Sequence, residues 1–223
     1  MKILFKFPSR SRKNKMFACI DNIISMARHD DYKIQLTLDY DDKEVIGEEV
    51  KEMIASYGDK VHAIFGQSNN KIHAVSRDME FSGEWSVCCV HSDDFWITKP
   101  GFDVSIIENM KRYYPDTDGV LHFPDQVQKQ KLITYSVLGR KYFERFNYLY
   151  YGGYTSVCAD NEFTEVSKKL KRYTYVPEFY LEHRHNRWGF GGIDELRKKT
   201  EDPMNYKIDG ALFRERQKHN FYL

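Results

Sequence analysis

The chain has 223 residues, a length that suits one domain with a sizeable core. Its 34 basic and 33 acidic residues leave a net charge of +1, so composition gives no argument for a nucleic-acid partner. The four cysteines, Cys19, Cys88, Cys89 and Cys158, form no CxxC pair and read as reduced thiols, which argues against a disulfide scaffold.

The first half alternates between two periodicities. Lys2 to Phe7 is a β-rich run closed by Pro8-Ser9-Arg10. Met16, Ile20, Ile23, Ile24 and Ala27 then recur at helical spacing within Lys15 to Arg28. Tyr32 to Leu38 reads as a strand that ends in Asp39-Tyr40-Asp41-Asp42. A helix is expected from Lys43 to Tyr57, stopped by Gly58-Asp59, and a third strand from Val61 to Phe65. Asn69 or Asn70 can cap a helix running to about Met79. Trp85 to Val90 is the fourth strand, and two acids, Asp93 and Asp94, follow it closely. This β-α-β-α-β-α-β order predicts an α/β fold, with a mostly parallel central sheet flanked by helices.

The second half is less regular. A helix is expected at Val104 to Tyr113, strands at Gly119 to His122 and Leu132 to Leu138, and a helix at Arg140 to Phe146. Tyr150 to Tyr154 reads as a loop, and Asp160 to Arg172 as a helix with Asn161 and Glu162 in its first turn. Tyr173 to Val176 and Phe179 to His185 are β-like, and the charged tail beyond Gly189 reads as partly mobile. No repeat or linker divides the chain. Met1 to Pro8 is too short and too interrupted by charge for a signal peptide, and no apolar stretch approaches a membrane span. The expected location is the cytoplasm.

The acids after the fourth strand are the most informative feature. A buried parallel strand delivers them to the carboxyl edge of the sheet, where ligands bind in open α/β folds. Adjacent carboxylates there are costly unless a positive charge neutralises them, and a divalent cation holding a diphosphate would do so. Solvated loop acids are the plainer reading.

In its ordered motifs the chain resembles the GT-A class of nucleotide-sugar glycosyltransferases, particularly the inverting enzymes of family 2. The motifs are Pro8-Ser9-Arg10-Ser11-Arg12 after the first strand, and Asp39, Asp41 and Asp42 after the second. His91-Ser92-Asp93-Asp94 follows the fourth strand, Ala159-Asp160-Asn161-Glu162 opens a later helix, and Glu182-His183-Arg184-His185 lies near the C-terminus. Together they span roughly residues 1 to 190. One position departs from the pattern: His91 stands where that family has an aspartate that contacts the nucleotide ribose. The resemblance implies a single GT-A (Rossmann-like) domain over 1–223, with a nucleotide-sugar half to about 100, an acceptor half over about 101–190 and a tail beyond.

It also implies roles. Asp93 would hold the metal, with Asp94 as a second or outer carboxylate. His183 would complete the metal shell, which favours Mn²⁺ over Mg²⁺ because imidazole is the softer ligand. Asp39 would bind the base or ribose, with Asp41 and Asp42 competing for the role, and Pro8, Arg10 and His91 would line the nucleotide pocket. Arg77 is a candidate phosphate contact, and Lys15, Arg184 and Arg187 are weaker ones. Asp160 would be the general base that takes the acceptor proton, although its place at a helix start also describes an ordinary N-cap; Glu162 is the fallback. The expected function is therefore metal-dependent transfer of a sugar, with inversion, from a nucleotide-diphosphate sugar to an acceptor hydroxyl. A UDP-sugar is the favoured donor. The acceptor is unspecified, and nucleic acid stays among the candidates without support from charge. The alternatives are a sugar-phosphate nucleotidyltransferase, a nucleotide-sugar-binding module without catalysis, and a zinc hydrolase built on His183 and His185. The first calls for a glycine-rich turn that Pro8 to Lys15 lacks, and the last for a closed ligand spacing that the chain lacks.

Overall fold

A computed structural model describes residues 1–178, 181–185, 189 and 194–223. The apolar runs of the first half become neighbouring parallel strands. β1 (Ile3–Pro8) pairs with β2 (Tyr32–Asp39) on one side and with β4 (Val87–Val90) on the other, and β2 pairs with β3 (Val61–Gly66). The crossovers are α1 (Lys13–Met26), α2 (Glu48–Ser56) and α3 (Lys71–Ser76). Ile3, Phe5 and Phe7 pack with Met16, Ile20 and Ile23 of α1, while Leu4 packs on the opposite face with Ile72 and Val75 of α3. Burial on both faces is why these strands read as continuous apolar runs. Lys6 is the exception. Its wholly buried ammonium donates to Thr37 Oγ1, and burial lowers its pKa to about 8 against the opposing pull of Asp78.

The second half extends the sheet with β6 (Val120–His122), β7 (Val137–Gly139) and β8 (Tyr173–Tyr175). The strand order is β3-β2-β1-β4-β7-β6-β8, with β7 antiparallel to both of its neighbours and β6 parallel to β8. Helices α4 (Phe102–Tyr113), α5 (Arg140–Glu144) and α6 (Ala159–Lys169) accompany it. A separate antiparallel pair, β5 (Phe95–Ile97) with β9 (Leu181–His183), brings the late segment back beside the turn that follows β4. Two further helices follow, α7 (Glu195–Thr200) and α8 (Pro203–Lys218). None of the helices among the described residues is long and apolar enough to cross a membrane.

Four elements differ from the expectation. The helix expected from Lys43 begins at Glu48, because residues 39–45 turn on themselves through Asp42 N to Asp39 O and Val45 N to Asp42 O. The strand expected over Leu132–Leu138 is confined to Val137–Gly139, and residue Phe179 lies outside the described residues. The tail forms helices where mobility was expected: Asp194 caps α7, Asp202 caps α8, and Pro203 occupies the first turn of α8. β5 was not expected at all.

β1 sends its chain to β2 on one side, and the sheet continues through β4 on the other. The carboxyl ends of β1 and β4 therefore flank a topological switch point, where open α/β sheets leave a crevice.

Candidate functional site

The turn after β1 forms one wall. Ser11 adopts a left-handed φ of 54°, and its N–H donates to Asp42 at 2.6 Å. Asp42 also accepts from Glu44 N at 3.2 Å, so this buried carboxylate shapes the turn. The turn carries Arg10 toward the end of β2, where its Nη1 donates to Asp39 at 2.9 Å and to Asp41 at 2.6 Å. Asp39 is nearly buried and also accepts from Ser68 Oγ at 2.7 Å and Arg77 Nη2 at 3.3 Å. Gly66 ends β3 beside the Arg77 guanidinium, and a Cβ there would collide with it. Pro8 closes β1 at the same edge. Asp39, Arg10 and Arg77 thus meet in one ion cluster, while Asp41 is exposed.

The acids after β4 point in different directions. Asp93 Oδ1 accepts from Arg12 Nη1 at 2.8 Å, and Arg12 also grips Asp194 through Nε and Nη2, both at 2.8 Å. Burial raises the pKa of Asp93, with Arg12 opposing. Among the described residues Asp93 Oδ2 has no hydrogen-bond partner. Both oxygens of Asp94 are engaged: Oδ1 with Ser92 Oγ, and Oδ2 with Arg197 Nη2 at 2.9 Å and His183 Nε2 at 3.6 Å. Burial works against the charge on Asp94, but His183 and Ser92 hold its pKa well below the usual carboxylate range.

His183, at the end of β9, stands between two carboxylates. Its Nδ1 lies 3.2 Å from Asp125 Oδ2. Asp125 is itself fixed by the N–H groups of Val127 at 2.9 Å, Gln128 at 2.5 Å and Lys129 at 3.3 Å, and by Thr134 Oγ1 at 2.9 Å. Burial disfavours a charged imidazole, but Asp125 and Asp94 outweigh it and raise the pKa of His183 to about 9. Burial works against Asp125 as well, and His183 with the backbone donors lowers its pKa to about 2. His185 turns away toward Glu201, 2.8 Å from its Nε2.

His91 lies beneath this cluster. Its ring is 1% exposed and packs among Phe5, Phe7, Phe95 and Tyr135. Nδ1 lies 3.2 Å from Tyr135 Oη, and Nε2 is buried without a hydrogen-bond partner among the described residues. Burial lowers its pKa to about 3, so the ring is neutral.

Asp160 sits in the first turn of α6, where its own side chain accepts only the Asn161 N–H, at 2.9 Å, among the described residues. Burial raises its pKa, and the charges of Lys71 and His183 oppose that. Lys71, at the start of α3, acts on Asp94 as well, which links α3, α6 and the acid turn electrostatically. Glu162 belongs to a different setting: it is buried against Arg216 and Tyr154.

The structure therefore brings Asp93, Asp94 and His183 together, with Asp160 within electrostatic reach of His183, and gathers Arg10, Asp39 and Arg77 near Pro8 at the adjoining sheet edge. Lys15 and Arg184 stand apart from both: Lys15 faces Asp194 at 3.9 Å, and Arg184 lies over Trp96 with Glu182 at 2.8 Å. Residue Arg187 lies outside the described residues. Sequence reasoning missed Arg12 and Arg197 as partners of the acids, Asp125 as the support of His183, and Lys71. Arg12 lay inside a motif already singled out, whereas no spacing pointed to Asp125 or Arg197. Among the described residues no three His, Cys, Asp or Glu side chains converge on a ready-made metal centre.

No family model and no curated protein matches the sequence. Solved structures do match the fold. The mannosyltransferase PcManGT from Pyrobaculum calidifontis, in complex with GDP-Man and Mn²⁺, superposes with a TM-score of 0.63 at 13% identity, covering 85% of this chain and 58% of that one. S. aureus TarS 1–349 gives 0.61 at 10% identity, covering 82% and 60%. Its complex with UDP-GlcNAc gives 0.60 at 10%, covering 82% and 58%. The chain thus spans under two thirds of the length of these structures. At such identities the likeness carries the fold, and together with the sheet order it shows that this chain has the GT-A fold of nucleotide-sugar glycosyltransferases.

Proposed function

We propose that this chain is a metal-dependent glycosyltransferase that moves a hexosyl unit from a nucleotide-diphosphate sugar to an acceptor hydroxyl, with inversion. The observation that supports it best is the pairing of Asp94 with His183 next to Asp93 after β4, within electrostatic reach of Asp160. The neighbours' complexes with GDP-Man, Mn²⁺ and UDP-GlcNAc support the donor class.

The residues present fit a divalent cation. Asp93 offers an oxygen with no hydrogen-bond partner among the described residues, and His183, protonated between Asp125 and Asp94 in this structure, would release its Nε2 proton to hold the cation while Asp125 keeps Nδ1, the outer support that metal-bound imidazoles have. Two protein ligands suffice for a cation whose remaining positions go to diphosphate oxygens and water, and the imidazole favours Mn²⁺ over Mg²⁺. Bound there, the cation supplies positive charge to the leaving diphosphate. Asp39, Arg10 and Arg77 are the donor's nucleotide contacts in this reading, with a UDP-sugar favoured, and Pro8 shapes the pocket floor. His91, neutral and buried, supports the acid turn from below.

Asp160 takes the acceptor proton. As the acceptor oxygen bonds to the anomeric carbon, the bond from that carbon to the diphosphate oxygen breaks on the opposite face, and the proton passes to the Asp160 carboxylate. Burial raises its proton affinity, which suits a base.

Thermal unfolding with a panel of nucleotide sugars, with and without Mn²⁺, tests the reading. The expected result is stabilisation by one donor that depends on Mn²⁺ and on Asp93, with release of the nucleoside diphosphate. Stabilisation without turnover on any acceptor marks a binding module, and release of pyrophosphate from a nucleoside triphosphate marks a nucleotidyltransferase.

A further inference from the structure

The last long helix, α8, makes two buried polar attachments that bracket Asp160. Asp209 is completely buried, and both of its oxygens are used: Oδ1 accepts from Thr155 N at 2.9 Å, and Oδ2 from Ser156 N and Val157 N, both at 2.8 Å. Three consecutive N–H groups of the loop entering α6 thus converge on one carboxylate. Cys158 then turns left-handed, with φ 64°, and α6 begins at Ala159 with no side-chain cap of its own. Seven residues beyond Asp209, two turns along the same face of α8, Arg216 grips Glu162 with bonds of 2.7 and 2.8 Å. Tyr154 Oη completes that pair at 2.7 Å, and the guanidinium lies 3.5 Å from the Tyr151 ring centroid.

Asp160 falls between these attachments, three residues after Val157 and two before Glu162. Among the described residues its carboxylate is met only by a local backbone N–H, so the position of its oxygens follows the backbone. A stability clamp needs no such bracketing of a residue in the cleft. We propose that Asp209 and Arg216 are positioning residues that set Asp160 against the acceptor hydroxyl from behind the active site. This rests on the reading of Asp160 as the base. The donor cluster at β1, β2 and β4 is anchored independently, so α8 governs proton acceptance and leaves donor binding alone.

The test compares Asp209→Asn, Asp209→Ala, Arg216→Met and Asp160→Asn. Two quantities are measured with UDP-GlcNAc and GDP-mannose in Mn²⁺: donor Kd, and kcat for diphosphate release with water as acceptor. A displacement of about 1 Å can cost on the order of 10²-fold in rate. Asp209→Ala and Arg216→Met should lower kcat by about 10- to 100-fold with donor Kd unchanged. Amide exchange should accelerate over residues 155–163 only. Asp209→Asn, which keeps one carbonyl oxygen for Ser156 and Val157, should fall between, and it carries the test if the alanine variant does not fold. On an Asp160→Asn background, Asp209→Asn should cost nothing more. Wild-type kcat in the Asp209 and Arg216 variants beside an inactive Asp160→Asn overturns the positioning role alone. A loss expressed in donor Kd, or additive losses in the double variant, overturns it too. Full activity of Asp160→Asn overturns the base reading itself, a pattern distinct from the others.

Discussion

Replacing Arg12 by Met separates the structural role of Asp93 from its proposed role as a metal ligand. The Arg12 side chain is 11% exposed and that of Asp93 is 7%, so the substitution strands a buried carboxylate. Breaking a buried ion pair typically costs about 3–5 kcal/mol. The low end applies here, since the second partner, Asp194, is 37% exposed and can rehydrate. For a domain of this size each kcal/mol moves Tm by about 2–4 °C, so a loss of about 3 kcal/mol lowers it by about 6–12 °C. Adding Asp93→Asn should return part of that loss, because the charge left behind is then gone. The stranded carboxylate should also bind a cation better. Mn²⁺ alone, without nucleotide, should bind the Arg12→Met protein roughly tenfold more tightly, about 1.4 kcal/mol. That corresponds to about 3–6 °C more Mn²⁺-induced stabilisation than in the wild type. Thermal unfolding of the wild type, Arg12→Met and the double variant, with and without Mn²⁺, measures all of this. Equal Mn²⁺ shifts in wild type and Arg12→Met would show that Asp93 does not face the cation.

Further substitutions probe the remaining roles. Asp160→Asn should lower transfer by about 10²- to 10⁴-fold with donor affinity kept, and the product's anomeric coupling constant should show the configuration opposite to the donor's. His183→Ala should weaken Mn²⁺-dependent diphosphate binding by at least about tenfold, and His185→Ala, whose ring faces Glu201, should do less; the reverse order in calorimetric titrations would exchange their roles. Lys6→Met tests a buried charge. The Lys6 pKa falls to about 8 on folding, so between about pH 8 and the unfolded value near 10.5 the unfolded chain holds the extra proton, and stability rises with pH. Relative to Lys6→Met, wild-type stability should therefore be lower by about 3 kcal/mol at pH 7 and should recover toward pH 10.5. A difference that does not change with pH would show that Lys6 keeps its ordinary affinity.

The parallel half of the sheet was legible because burial on both faces leaves an unmistakable record: apolar runs such as Val87 to Val90 flanked by helical periodicity. The positions of Asp39, Asp93 and Asp160 followed from the same pattern, since each stands just past a strand or at the head of a helix. The second half was harder. β6 and β8 fall within the stretches expected, but β5 and β7 are three residues long, too short for periodicity to fix them. The stretch from Asp125 to Thr134 carries an apolar β-like composition toward its end, yet it is organised by one carboxylate collecting four donors. Such a loop is written in a single side chain, and a sequence gives no sign of which N–H groups will turn toward it. The tail misled for a related reason. α8 has a weak apolar stripe, and its anchorage comes from two buried polar residues, Asp209 and Arg216, whose partners lie about fifty residues upstream.

The near-neutral charge of the chain conceals how the site is built. Three carboxylates of the donor half already have a guanidinium: Asp39 has Arg10 and Arg77, Asp93 has Arg12, and Asp94 has Arg197. Burial would otherwise drive such acids toward neutrality, and a protonated acid neither ligates a cation nor accepts from a nucleotide. The arginines set an opposite charge beside these carboxylates, and their N–H groups suit the charged oxygens of a diphosphate. Two of them, Arg10 and Arg12, come from the first turn of the chain, and Arg197 comes from α7 near its end. Arg12 also reaches Asp194, the cap of α7, so the two ends of the fold are tied together across the acid pair. A substitution in α7 that never touches the donor can therefore alter the charge on Asp94, and through it the support of His183. By the reasoning applied to Arg12, Arg197→Met frees Asp94 and should tighten Mn²⁺ binding more than Lys15→Met, whose ammonium is exposed and meets Asp194 only at 3.9 Å. Equal effects from Arg197→Met and Lys15→Met would mean that the cleft responds to net positive charge alone and not to the particular guanidinium that holds Asp94.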